Sequence, residues 1–149
     1  MMRCKAVTNT TNRLYVLLLL PVLYGLFAPP AFSQQPAVSG QSKLTLYQAV
    51  MCEGIEEFAP INEAIVFSIS LGKVYCFTYF DPVPQKTWIF HNYYFQDRLI
   101  AKAKLIIKPP NWKTYSSIQL REPDKGPWRV EVTDSDGRVF KILRFSITD

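Results

Sequence analysis

Hydrophobic and polar residues alternate along most of the chain from residue 43 onward, and this alternation predicts short β-strands. The clearest case is Lys73–Phe80, eight β-branched, aromatic and apolar residues between Leu71-Gly72 and Asp81-Pro82. Thr87–Phe95 has the same character. Runs of this length and composition, bounded by turn residues, are typical of strands rather than helices.

Residues 99–108 combine helix-favouring Ala, Leu and Lys with a strict period of two. Leucine, alanine and isoleucine on one side alternate with three lysines on the other, and a period of two is that of a strand. The pattern therefore predicts a strand, although residue propensity alone favours a helix. We expect Lys102, Lys104 and Lys108 to face solvent and Leu105 and Ile107 to lie in the core.

Further strands are predicted around residues 44–52, 64–71, 112–120, 128–133 and 139–147. We expect a loop at residues 53–62, and a hairpin that joins residues 64–71 to the next strand through Gly72-Lys73. Seven or eight short strands at about ten-residue spacing, with Pro or Gly at the joints, are typical of an all-β antiparallel sandwich. We predict an immunoglobulin-like β-sandwich at residues 43–149.

Residues 1–33 have the three parts of a signal peptide. Basic residues precede an apolar run at residues 14–27, and Ala31 and Ser33 put small residues at the two positions that a signal peptidase reads, so we expect cleavage after Ser33. Residues 34–42 are polar and predict a flexible mature N-terminus. The protein is thus expected to be exported, to the periplasm or the outside. The alternative is an uncleaved membrane anchor at residues 14–27.

Three cysteines divide into Cys4 in the leader and the pair Cys52 and Cys76. An even pair in an exported chain predicts a disulfide bond between Cys52 and Cys76. The competing interpretation is two buried free thiols.

The formal net charge of +5 is partly that of the leader, because residues 34–149 carry 14 Lys and Arg against 12 Asp and Glu. A mature charge of about +2 is too balanced for nucleic-acid binding. No cofactor is implied.

A metal site is not expected, because His91 is the only histidine and a structural zinc site needs four ligands. Asp134-Ser135-Asp136-Gly137 is similar to part of a calcium loop, but Val132 and Leu143 would then occupy its first and last ligand positions. We interpret this segment as a hairpin turn.

A hydrolase-like enzyme centred on His91 and Ser116 or Ser117 is the alternative to a non-catalytic protein. Asp81 or Asp97 could orient the histidine. However, the serines lie in a predicted strand and not in a nucleophile elbow. His91 could instead have a structural role or contact a ligand, and its distance from the serines and carboxylates discriminates among these roles.

Aromatic residues occupy both faces of the Thr87–Phe95 strand. Trp88, Phe90 and Tyr94 share one face, and His91 and Tyr93 share the other. A sandwich strand turns one face to solvent, and large exposed apolar patches usually mark a contact. The outer face is therefore covered by the leader-proximal segment, by a loop or by a partner, and a glycan stacked on Trp88 or Trp112 is one form of the last.

Several motifs together resemble a known bacterial family. They are Cys52-Glu53-Gly54-Ile55, Val74-Tyr75-Cys76-Phe77, His91, residues 112–117, residues 126–132 and Asp136-Gly137. In this order they resemble the family catalogued as domain of unknown function 2914, over residues 44–148. Members typically carry an aromatic residue, often Trp, two places after the histidine, and this chain has Tyr93 there, which is a mild departure.

The resemblance implies a bacterial envelope protein and provides no catalytic residue. It also draws attention to His91, Trp112 and Trp128. We therefore predict an exported, non-catalytic binding or structural module with an aromatic contact surface, whose expected partner is a protein or glycan of the cell envelope. The candidate binding residues are His91, Trp88, Tyr93, Trp112 and Trp128.

Overall fold

The computed structural model describes residues 43–149. The predicted signal peptide (1–33) and mature N-terminus (34–42) lie outside these residues. The described part folds into nine strands: β1 (Leu46–Glu56), β2 (Ala59–Glu63), β3 (Val66–Ser68), β4 (Lys73–Phe80), β5 (Thr87–Phe95), β6 (Arg98–Ile107), β7 (Trp112–Gln119), β8 (Gly126–Asp134) and β9 (Val139–Thr148). No helix within it is long and apolar enough to cross a membrane.

The strands form two sheets. The four-stranded sheet has the order β2-β1-β4-β7, and the five-stranded sheet has the order β3-β9-β8-β5-β6. All neighbouring strands are antiparallel except β3 and β9, which are parallel. Their inward side chains share one core of Val, Ile, Phe and aromatic residues. The all-β, two-sheet architecture predicted from the sequence is confirmed.

The strand count of seven or eight was wrong, because the predicted loop at residues 53–62 contains parts of two strands. β1 continues to Glu56, and β2 begins at Ala59 as its antiparallel partner. Glu57 and Phe58 make the turn with positive φ angles of 46° and 56°. A two-residue turn with both φ angles positive normally carries Asn or Gly, so its usual sequence signal is absent here.

The predicted hairpin between residues 64–71 and β4 was also wrong. Only Val66–Ser68 is extended, and it pairs with β9 of the five-stranded sheet. A 3₁₀ turn at Ile69–Leu71 and Gly72, with φ of 66°, then lead the chain to the other sheet. Two alternating segments beside a glycine fit a crossover between sheets as well as a hairpin, because alternation does not specify the partner strand.

The predicted disulfide bond is wrong because of the register between β1 and β4. Cys52 lies opposite Tyr75, and Cys76 lies opposite Met51. Residues directly opposite one another point to the same face, and successive residues point to opposite faces. Cys76 therefore points into the core and Cys52 points away from it. Both are buried free thiols.

The β6 prediction is confirmed. Ile107 is fully buried and Leu105 packs against the core. Lys102, Lys104 and Lys108 are all exposed. β6 is an edge strand of its sheet, as β7 is of the other.

Candidate functional site

A buried hydrogen-bond network around His91 joins the two sheets. His91 and Tyr93 point inward from β5, and Thr78 and Ser116 point inward from β4 and β7. His91 Nδ1 is 2.7 Å from Ser116 Oγ, and His91 Nε2 is 3.2 Å from Thr78 Oγ1. Tyr93 Oη is also 2.7 Å from Ser116 Oγ.

The donor and the acceptor of each of these hydrogen bonds follow from the Thr114 carbonyl oxygen, which can only accept. Thr78 Oγ1 donates to the Thr114 carbonyl oxygen at 3.5 Å. His91 Nε2–H must then donate to Thr78, which leaves Nδ1 to accept from Ser116. Tyr93 in turn donates to Ser116. Each member of the network therefore donates a hydrogen bond to the next, in the order Tyr93, Ser116, His91, Thr78 and the Thr114 carbonyl oxygen.

Burial keeps His91 neutral. Its side chain is 0% exposed, and desolvation lowers the pKa of His91 to about 3. Burial likewise raises the pKa of Tyr93 well above its ordinary value. Among the described residues, no buried side-chain nitrogen or oxygen lacks a hydrogen-bond partner. The network is therefore satisfied by its own members.

The network places a serine hydroxyl beside a histidine, as a nucleophile and base would be placed. However, a base with a pKa of about 3 accepts a proton poorly at neutral pH. The other ring nitrogen faces Thr78 and not a carboxylate. Both proposed orienting residues are engaged elsewhere, since Asp81 accepts from Tyr79 and Asp97 pairs with Arg129.

Ser117 does not take part, because it follows Ser116 in β7 and is exposed on the opposite face. A cleft of about 320 Å³ lies near this strand at the open edge of the sandwich. Its lining residues are Ile100, Ala101, Ser117, Ile118, Gln119, Arg121, Asp124 and Trp128, and do not include His91 or Ser116.

The outer face of β5 carries three aromatic rings, each beneath a cation from a neighbouring strand. We call Trp88, Phe90, Tyr94 and their cations the cation–aromatic face. Lys104 Nζ lies 3.9 Å from the centre of the Trp88 ring, and Lys102 Nζ lies 4.2 Å from that of Phe90. Arg129 of β8 lies 4.2 Å from the Tyr94 ring.

These cations lie over the apolar face that was expected to be covered by the leader-proximal segment, a loop or a partner. Trp88 nevertheless stays 39% exposed. Arg129 is paired with Asp97 and Glu131. Within residues 43–149, Lys102 and Lys104 form no ion pair.

The other two tryptophans lie at opposite ends of the sandwich. Trp128 is 4% exposed, its ring lies 4.9 Å from Phe95 and its Nε1–H donates to the Asp124 carbonyl at 2.7 Å. Trp112 is half-buried at the start of β7, with Lys108 Nζ 5.5 Å from its ring centre. Hence the five candidate residues do not form one site: His91 and Tyr93 meet inside, and Trp88 faces outward.

A second aromatic surface, on the four-stranded sheet, was missed by the sequence analysis. Tyr75, Phe77 and Tyr79 share the outer face of β4, where Phe77 is only 1% exposed, and Tyr115 of β7 lies opposite Phe77. Lys113 Nζ lies 5.6 Å from the Tyr79 ring. The alternation of tyrosine and phenylalanine with other residues along β4 was the available signal in the sequence.

The Asp134–Gly137 segment is a hairpin turn, as predicted. Asp134 Oδ1 accepts from the backbone N–H groups of Asp136 and Arg138, and Gly137 has a φ of 83°. Residues 43–149 contain no cluster of three side chains suited to hold a metal ion.

The sequence comparison matches the second half of this domain to a family. Residues 86–147 match the family described as Protein of unknown function (DUF2914). This confirms the resemblance for β5 to β8 and most of β9. The DUF2914 match contains His91, Ser116 and the cation–aromatic face, and its description assigns no activity. The comparison with curated proteins found no match.

Proposed function

We propose that this protein is an exported, non-catalytic binding or structural module of the bacterial cell envelope. Its contact surface is the cation–aromatic face of the five-stranded sheet, and its partner is a protein or glycan of the envelope. The observation that carries the proposal is the set of three ring–cation pairs on one outward face.

The arrangement of charge and aromatic area supports contact at this face. A cation over a ring is stabilised by about 0.5–1 kcal/mol at an exposed site, which restrains an otherwise mobile lysine. Restrained groups lose less conformational entropy on binding than free ones. The partly exposed Trp88 adds apolar area next to charge, a combination that is common at binding surfaces.

Export is supported by the order of basic, apolar and small residues in the leader. The immunoglobulin-like class of the sandwich is supported by its packed sheets of four and five strands, between which the chain crosses repeatedly.

The alternative, a hydrolase, has one observation in its favour, the distance of 2.7 Å between His91 and Ser116. We favour binding, because the pKa of about 3 for His91 makes it a weak base. The same contact is also needed to satisfy two buried polar groups.

Binding of the exported protein to isolated envelopes of its source bacterium tests the proposal. We expect the wild-type protein to sediment with envelopes and Lys104→Glu to be retained several-fold less, because the substitution reverses a charge on the face. Lys113→Glu is the matched control, since it reverses a ring-associated lysine on the other sheet. Equal retention of all three proteins would reject this contact surface.

A further inference from the structure

A row of three lysines runs along the edge strand β6 and just beyond its end. We call Lys102, Lys104 and Lys108 the lysine row. All three are exposed, and each has its Nζ within 6 Å of an aromatic ring centre, those of Phe90, Trp88 and Trp112. We infer that the lysine row binds a linear acidic polysaccharide, an inference that rests on the proposed function and names the chemistry of the partner.

The three lysines supply positive charge that nothing in the described structure neutralises. Within residues 43–149, none of the three forms an ion pair. β6 itself contains no acidic residue. Glu131 and Asp134 line a cleft together with Lys102, and they are paired with Arg129 and Arg138. A ligand with repeated negative charge is therefore electrostatically complementary to the lysine row.

The lysines compete with a stacking ligand for these rings. Lys104 Nζ lies 3.9 Å from the Trp88 ring centre and Lys102 Nζ lies 4.2 Å from the Phe90 ring centre, so each ammonium group occupies one face of its ring, while Trp88 stays 39% exposed. Aromatic stacking is a main source of affinity for single-stranded nucleic acids. The rings instead hold the ammonium groups in position, and recognition is by charge.

The arrangement of the lysines favours a chain-like ligand. With a rise of about 3.4 Å per residue, Lys102 and Lys104 are spaced about 7 Å apart along β6, and Lys108 follows directly after the strand ends at Ile107. The ammonium groups of Lys102 and Lys104 lie over rings of β5 and that of Lys108 lies over Trp112 of β7, so the charges extend from the outer face of β5 to the start of β7. A linear polymer with an acid group on each repeat can meet all three at once, and the summed contacts raise its affinity.

Polygalacturonate, a linear chain of uronic acids, is the probe for this inference. The exported wild-type protein is titrated with it, with dextran as the neutral control. We expect measurable binding that weakens steeply between about 50 and 200 mM salt, because association releases counterions. Dextran should not bind.

Charge-removing variants locate the site. Lys102→Gln with Lys104→Gln should bind polygalacturonate about tenfold more weakly or worse, since two of three charge contacts are lost. Lys113→Gln should bind like wild type. Trp88→Leu keeps every charge but removes the ring under Lys104. It should weaken binding by about threefold, because the Lys104 side chain is then less restrained before binding.

Several results would overturn the inference. They are the absence of polygalacturonate binding, equal binding by the double variant and wild type, or salt-insensitive binding of dextran. Tighter binding of poly-thymidine, polyglutamate or phosphatidylglycerol vesicles would assign the row to another polyanion. Self-association of the double variant, with no polygalacturonate affinity in wild type, would mean that the lysines only protect the open edge of β6.

Envelope binding distinguishes failure of the polysaccharide inference from failure of the proposed contact surface. If wild type binds envelopes through Lys104 but not polygalacturonate, the polysaccharide inference fails and the proposed contact surface stands. If envelope binding is indifferent to Lys104, the contact surface itself fails.

Discussion

Cys52 and Cys76 lie on neighbouring strands but point to opposite faces of the same sheet. The register places Cys52 opposite Tyr75 and Cys76 opposite Met51, one position out of step. Cys52 Sγ lies 3.8 Å from the Tyr75 carbonyl oxygen, to which it donates. Burial raises the pKa of Cys52 to about 11 and that of Cys76 still further, so both thiols stay protonated at neutral pH.

The first prediction is that the exported protein contains two free thiols. Unfolded without reductant, it should take up two equivalents of an alkylating reagent. The folded protein should react slowly, since thiolate is the reactive species and both groups are buried. Intact mass after alkylation measures the uptake. A protein about 2 Da lighter than its sequence, with no uptake, would restore the disulfide.

The second prediction concerns the pH dependence of stability. The folded pKa of His91, about 3, lies below the unfolded value of 6.5, so the unfolded state binds the proton more readily. The contribution of His91 to stability is complete above the unfolded pKa and is lost as the pH falls toward the folded pKa. Between about pH 7 and pH 5 the free energy of unfolding should fall by about 2 kcal/mol on this account.

Urea unfolding at both pH values measures this change. His91→Gln is the control, because glutamine can form hydrogen bonds but does not titrate. The free energy of unfolding should fall by about 2 kcal/mol more in wild type than in His91→Gln between these two pH values. Identical pH profiles would show that His91 is not held neutral in the fold.

The third prediction separates the two adjacent serines. Ser116→Ala removes a partner from both His91 and Tyr93 inside the protein, and should lower the free energy of unfolding by about 1–3 kcal/mol. Ser117→Ala changes an exposed side chain and should stay within about 0.5 kcal/mol of wild type. Denaturant unfolding of both variants provides the comparison. The reverse order would contradict the face assignment of β7.

The fourth prediction tests the register of β6. Leu105→Asp places a carboxylate against the core and should destabilise the domain by several kcal/mol, because a buried charge without a partner is costly. Lys104→Asp changes an exposed position, so the domain should remain folded. Circular dichroism during thermal unfolding distinguishes the two. A tolerated Leu105→Asp beside an unfolded Lys104→Asp would reverse the assigned faces.

The fifth prediction concerns export. The protein recovered from the envelope should begin near Gln34, because the leader ends in small residues before that position. Intact mass measures the start of the chain. Full-length protein in the cytosol would contradict export, and full-length protein in the membrane would favour the anchor.

The sequence by itself determined most of the strand segments and which of their faces are apolar, but it assigned β2 to a loop and made β3 too long. β4, β5 and β6 were all recognisable, including the lysines of β6 that face solvent. The physical reason is that side chains alternate with a period of two along any extended chain, so each strand shows its two faces locally. The same local chemistry identified the Asp134–Gly137 turn.

Only the tertiary structure decided which strands are neighbours and in what register. His91 and Ser116 are 25 residues apart and meet because β5 and β7 face each other across the core. Cys52 and Cys76 point to opposite faces because their positions in the register of β1 and β4 differ by one residue. Pairing and register depend on the packing of all strands together, and several pairings suit the same alternation. For that reason the sequence could nominate His91, the cysteines and the aromatic residues, but it could not place them relative to one another.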